Sequence, residues 1–243
     1  MKKKPPTNRR SSAALLAALM IVINGCRPLA PVSPLATLEP VRVQYTPALE
    51  KGFLAQLQAC SGQSSGIGLM VKKTPAQSLE LSRFDLTVRI EVPPGTRDFA
   101  ADLGKLEIRV ISHPGLSLTS LTLADLAAIY SGKMQEWPGG ASLPVQAWTY
   151  LPGDDLRIAF EGLVLNGETP VKAVYQAPDP AAMIQAVSQT PGAIGFIPSD
   201  WMSAKVHTVN LDRSLSVPVV GLASAEPQGA ARRLLACLQE RNW

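Results

Sequence analysis

The sequence predicts an α/β protein in which short apolar strands alternate with amphipathic helices along a largely parallel sheet. Two observations carry this reading. Runs such as "VRVQY", "IGLMV", "LEIRVIS" and "AIGFIP" have strand length and are bounded by Gly, Pro and polar turn residues. Between such runs, apolar residues recur at helical spacing, as in Leu49, Phe53, Leu57 and Cys60. With 243 residues, 46% of them hydrophobic, the chain can bury a full core as one large α/β domain or two small lobes.

Element by element, "VRVQY" opens the domain as a strand, with Thr46 as a helix N-cap and Pro47 at the first helical position. "IGLMV", a short helix near Ala76–Leu81 and the strand "FDLTVRIEV" follow, ended by the turn Pro93-Pro94-Gly95. "LEIRVIS", Leu106 to Ser112, is the next strand. The alternation then repeats: a helix after Thr122 with Asp125 as its third residue and Gly132 closing it, the strand "VQAWTY", and a helix opening in "PGDDLR". "VKAVYQA", a helix capped by Asp179 and begun by Pro180, the strands "AIGFIP", "VHTVNL" and "VPVVGLA", and a last helix from Gly229 to Arg241 complete the order. No repeat of fixed period is present, which argues against a solenoid or propeller.

The N-terminus reads as an export signal over residues 1–26: charged "MKKKPPTNRR", an apolar stretch Ala13–Ile23, and the exit Ile23-Asn24-Gly25-Cys26. That exit resembles a bacterial lipobox, so lipidation of Cys26 and an extracytoplasmic, membrane-anchored location are expected; an ordinary cleaved signal before an incidental cysteine is the alternative. Arg9-Arg10 lacks the apolar residues that a twin-arginine signal carries after its pair. Residues 27–40, with Pro28, Pro31, Pro34 and Pro40, read as a tether. Lys2, Lys3, Lys4, Arg9 and Arg10 leave with the signal, so the 23 basic residues fall to 18 against 19 acidic ones, a net charge of −1. That balance removes the electrostatic case for nucleic-acid binding.

"GQSSG", Gly62 to Gly66, matches the pattern of a nucleophile elbow at Ser64, with Asp200 and His207 following in hydrolase order. The elbow requires a strand before the serine and a helix after it; here a helix precedes and a strand follows, so a Ser/Gly loop is expected. His113 and His207 are far apart and have no Cys or Glu at metal-ligand spacing, so no metal site is implied. No phosphate-binding loop or dinucleotide fingerprint occurs, and no cofactor is expected. Trp148 and Tyr150 alternate on a strand and could line a cleft, with core packing as the ordinary role. Asp154 and Asp155 sit at a helix start, where capping by the carboxylates explains them better than a catalytic pair. After Cys26, Cys60 and Cys237 remain in helix-like segments; a disulfide and two buried thiols are both open from the residues alone.

Three segments together resemble the phosphate-type substrate-binding proteins of ABC transporters, of the type II periplasmic-binding-protein fold. "LTLADLAAIYSGKMQEWPGG" is similar to that branch's helix, glycine stop, tryptophan and Gly-rich turn; "VSQTPGAIGFIP" to its Pro-Gly-Ala-Ile-Gly strand entry; "LSVPVV" to its return strand. The resemblance implies two α/β lobes joined by two crossovers with a ligand cleft between them: residues 41–112 and 213–243 as lobe I, 113–212 as lobe II. It also brings Cys60 and Cys237 into one lobe, favouring the disulfide. Its implied partners are a small-molecule ligand, phosphate or another oxyanion, and an ABC permease, with the protein a monomer and not an enzyme. The residues expected nearest the cleft are Thr46, Tyr150, Gly153, Asp154, Asp155 and Arg157. The chain departs from the family in placing acids where hydroxyls would hold an oxyanion. The departure leaves three outcomes: acids turned away as caps, a cationic or neutral ligand, or a sensor or interaction lipoprotein without transport.

Overall fold

In a computed structural model, residues 38–63, 66–96, 98–138, 143–171 and 174–241 are described. The expected signal, Cys26 as the expected lipidation residue, most of the expected tether and Ser64 lie outside them. The apolar runs become strands β1 (Glu39–Tyr45), β2 (Ile67–Lys73), β3 (Leu86–Ile90), β4 (Phe99–Ser112), β5 (Ser120–Leu121), β6 (Gln146–Tyr150), β7 (Tyr175–Ala177), β8 (Ala193–Pro198), β9 (His207–Leu211) and β10 (Leu215–Ala223). The helices are α1 (Glu50–Gln63), α2 (Leu123–Tyr130), α3 (Asp155–Val164), α4 (Pro180–Gln189) and α5 (Gly229–Glu240).

The strands form one sheet in the order β2-β1-β3-β10-β4-β8-β6-β7, with β9 on β4 and β5 on β9. β1 pairs in parallel with β2 and β3, and β6 with β7 and β8; β10 and β4 run antiparallel to their neighbours between these two parallel sets. The sheet therefore has two halves, joined where β10 pairs with the first part of β4 and β8 and β9 pair with its last residues. α1 and α5 pack together on the first half, and α2, α3 and α4 serve the second.

Local signals explain most boundaries. Thr122 and Asp125 form a reciprocal capping box at α2, and Asp179 accepts the Ala182 N–H at 2.8 Å to start α4 behind Pro180. β8 is buried along its whole length, and a Cβ on Gly195 would meet Val187 at 3.0 Å, so the glycine lets α4 lie directly on the strand. Trp137 donates its indole N–H to the Gly192 carbonyl at 2.9 Å, joining two of the segments that carry the family resemblance.

Several expectations need adjustment. The helix expected directly from Pro47 begins as a 3-10 turn over Pro47–Leu49, and Thr46 makes no side-chain capping bond there. The short helix near Ala76–Leu81 is two 3-10 turns, Ala76–Ser78 and Leu81–Arg83. β4 starts at Phe99, seven residues before the expected strand, because "FAADLGK" breaks polar alternation yet is held by β10 across a bulge near Gly104. Around "GQSSG" a helix leads in and a strand leads out, the reverse of a nucleophile elbow.

Cys60 and Cys237 are joined by a disulfide, Cα to Cα 5.8 Å, which fastens α1 to α5. The closed loop spans a sequence separation of 177, for which the chain-entropy model gives up to about 5 kcal/mol of stabilisation. Replacing both cysteines by serine is expected to lower stability by about 2–5 kcal/mol, read as a fall in the denaturant midpoint. Reductant should produce the same fall in the wild type and none in the double variant.

Candidate ligand site at the seam between the sheet halves

β6 ends at Tyr150, and Gly153 at φ 82° turns the chain so that Asp154 arrives as the N-cap of α3. Asp154 Oδ1 accepts the N–H groups of Leu156 at 3.0 Å and Arg157 at 3.2 Å. This is the capping role expected from the sequence, aided by the positive end of the helix dipole.

Asp155 behaves differently. Its carboxyl group leaves α3 and crosses to the other half of the sheet, where Oδ2 accepts the Ile90 N–H at 2.9 Å. The residue is 2% exposed, and Oδ1 is buried without a hydrogen-bond partner. The fully buried Thr46, from the end of β1, brings its hydroxyl to the same carboxyl group and favours its ionised form. That hydroxyl nevertheless closes no hydrogen bond of good geometry. Arg89 adds positive potential from β3. Residues from β1, β3 and α3 therefore converge on one carboxyl group.

Burial pushes both acids up. Asp154 rises to about 7, first through loss of water and then through repulsion from Asp155, against the two backbone N–H groups it accepts. Asp155 is also raised by burial, opposed by the Ile90 N–H, Thr46 and Arg89.

Two of the expected ligand residues are committed elsewhere. Tyr150 is 1% exposed; its hydroxyl donates to the Phe196 carbonyl at 2.8 Å, and its ring lies edge-on to Phe196, itself stacked on Phe160. It is a core residue with a satisfied hydroxyl, not a cleft contact. Arg157, 8% exposed, gives Nε to Glu161 Oε1 at 2.6 Å and Nη1 to the Tyr150 carbonyl at 3.0 Å. Its guanidinium braces its own helix and is not directed at an anion. Trp148 likewise stacks on Tyr175 at 5.1 Å.

Thr46 and Asp155 do meet at the seam, and Gly153 lies against Gln77. A Cβ on Gly153 would lie 3.6 Å from Gln77 Cβ of the first half. The halves touch again where Trp201 donates its indole N–H to the Ala48 carbonyl at 3.0 Å, under the Lys51 ammonium, which lies 4.6 Å from the ring centroid. Cavities of about 330 and 480 Å³ open elsewhere, beside Arg42 and beside α2, with none of these seam residues in their walls. Among the described residues no cluster of His, Cys, Asp and Glu could hold a metal.

Sequence reasoning missed Ile90, Arg89 and the Trp201 contact. The Ile90 donor precedes Glu91, which holds φ 58°, a left-handed conformation that a non-glycine residue adopts rarely. The "EVPPG" turn hinted at a break there but not at its conformation.

No family model matches the chain. Solved structures do. A Clostridium perfringens protein assigned as a phosphate ABC transporter substrate-binding protein, with phosphate bound, aligns at TM-score 0.75 and 15% identity over 82% of this chain and 93% of its own. An ABC-type phosphate transport receptor from Vibrio cholerae aligns at 0.65 and 14% over the same shares. The Synechocystis PCC6803 CcmR regulatory domain in complex with 2-PG aligns at 0.65 and 14%, over 84% and 97%. The fold is therefore that of type II periplasmic-binding-protein-like domains, shared by transport receptors and regulatory domains alike.

Two expectations follow from the site. The raised Asp154 carboxyl contributes stability that is complete below its ordinary value of 3.8 and is lost as pH rises through about 7. Thermal melts should therefore show stability falling over that window, and Asp154→Asn, which keeps a capping oxygen, should flatten the slope. Arg157→Met should destabilise by about 3–5 kcal/mol by leaving Glu161 buried and unpaired, while the double variant Arg157→Met/Glu161→Leu should recover most of the loss in denaturant melts.

Proposed function

On a type II periplasmic-binding-protein-like fold, we propose that the chain is an exported, lipid-anchored solute-binding protein. It captures a small molecule between the sheet halves and hands it to an ABC permease without chemistry. The observation that carries this reading is the convergence of Thr46, Ile90 and Asp155 from opposite halves on one buried polar point. The leader, the cysteine at its exit and the proline-rich stretch after it support a receptor tethered beside a membrane partner. Resemblance to phosphate receptors points to a phosphate-like oxyanion as the ligand.

A second reading, a sensor or interaction lipoprotein without transport, is favoured by one specific observation. The seam is already bridged by the Asp155 and Trp201 hydrogen bonds, and regulatory domains share the fold.

Thermal melts of the exported chain with millimolar phosphate, a neutral sugar or a polyamine separate the two. A ligand present at a thousandfold excess over its dissociation constant stabilises by about 4 kcal/mol, a shift on the order of 10 °C at this size. Such a shift with any of the three supports the receptor. No shift with all three supports the second reading.

A further inference from the structure

We propose that residues 29–37 form an extended polyproline arm that lies back on the domain, its apolar edge of Leu29, Val32 and Leu35 seated in the groove between Met70 and Phe84 on the open face of β1 and β2. The stretch before the first strand is then a strap of fixed path, which sets how the domain stands relative to its N-terminus. The amino-acid order carries the first observation. From Pro28 the chain is written in threes, Pro-Leu-Ala, Pro-Val-Ser, Pro-Leu-Ala and Thr-Leu-Glu, so Leu29, Val32, Leu35 and Leu38 fall at every third position. A polyproline helix has three residues per turn, which places those four side chains along one edge. A free spacer needs no such order.

Leu38, the last of the four, is the first described residue and marks where the arm enters. It is 60% exposed, yet its Cβ would lie 3.3 Å from a Cβ on Gly68 of β2. Gly68, Met70 and Lys72 share one face of β2, and Met70 pairs with Arg42 of β1. Val41 and Val43 point to the other face and are buried on the side that α1 and α5 cover. On the arm's side the connection from β2 to β3 makes only the 3-10 turns Ala76–Ser78 and Leu81–Arg83, and Met70 stays 60% exposed. A cavity of about 490 Å³ opens there between Met70, Val71, Lys72 and Phe84, and it shares Arg42 and Phe84 with the one of about 330 Å³ beside it.

The chemistry of the groove suits this occupant. Arg42 is held by Asp85 at 2.9 Å and Arg83 by Glu80 at 3.4 Å, while the Lys72 ammonium lies 6.0 Å from the centre of the Phe84 ring. Both arginines are balanced from within, so the groove offers apolar surface and an aromatic ring, as grooves that take proline-rich segments do. Residues 28–37 carry no charge and include three prolines, which keep the loss of chain freedom on docking small. Reach is sufficient: residues 29–37 span about 28 Å in a polyproline helix, against about 13 Å along β2 from Gly68 to Lys72. The groove lies toward the start of β1 and the seam beyond its end at Thr46, so the arm is independent of what the seam binds.

The test is the rate at which hydrogen peroxide oxidises Met70 in the exported chain, followed by peptide mass spectrometry with Met202, 41% exposed, as the internal reference. Under the arm, Met70 should oxidise about fivefold or more slowly than Met202, although without it Met70 is the more open of the two. The triple variant Leu29→Asp/Val32→Asp/Leu35→Asp should raise its rate to at least that of Met202. Ala30→Asp/Ser33→Asp/Ala36→Asp, with the same charges on another edge of the arm, should keep the protection. Dilution by about tenfold should change nothing, because an intramolecular contact does not depend on concentration. Met70 oxidised as fast as Met202 in the wild type overturns the arm, a result that needs no variant to fold. Equal loss of protection in both triple variants also overturns it, as does protection that survives the Leu29/Val32/Leu35 variant. Protection that falls on dilution overturns it too and gives the face to a second copy of the chain.

Discussion

The antiparallel pairing of β4 with β10 is the constraint on which the rest of the molecule depends. The pairing runs from Phe99 opposite Ala223 to Ile108 opposite Leu215, and from Ile108 onward β4 enters the second half, paired with β8 and then also with β9. One strand thus belongs to both halves, and every distance across the seam is set by how β4 passes between them. The alternating burial of β4 keeps Leu103, Leu106, Ile108 and Val110 in the core along that passage. Parallel strands with their helices are then added outward on either side, and the ends of β1, β3 and α3 come to face one another.

At that meeting point the protein concentrates polar groups that a core would ordinarily exclude. Buried acids are tolerated only with hydrogen-bond partners. Asp154 has them from its own helix, while Asp155 has one from the opposite half and a second oxygen left over. Arg157 and Glu161 satisfy each other one turn further along. The scaffold is shared with phosphate receptors and with regulatory domains, so what distinguishes this chain lies in which groups fill the seam.

Legibility from sequence followed the range of the forces involved. Capping boxes, Pro starts and glycine stops are local, and Thr122, Asp125, Gly132, Asp179 and Pro180 could be read directly. The first part of β4 could not, because its strand character comes from a partner more than a hundred residues away. The site was half legible. Asp154 follows a rule that operates within one helical turn. The path of Asp155 to Ile90 is decided by how the two halves meet, and Tyr150 and Arg157 were claimed by Phe196 and Glu161 for reasons of packing that spacing alone does not carry.

The strand that completes the first half, β10, and the helix bonded to α1 by the disulfide both come from the end of the chain. A polypeptide emerging N-terminus first therefore exposes β1, β2 and β3 with an open sheet edge until more than two hundred residues have appeared. The first half is in effect held incomplete by chain order: it gains its neighbour strand and its covalent staple in the last step of emergence. Neither the central pairing of the first half nor the bridge between α1 and α5 can form until the last strand and helix have appeared.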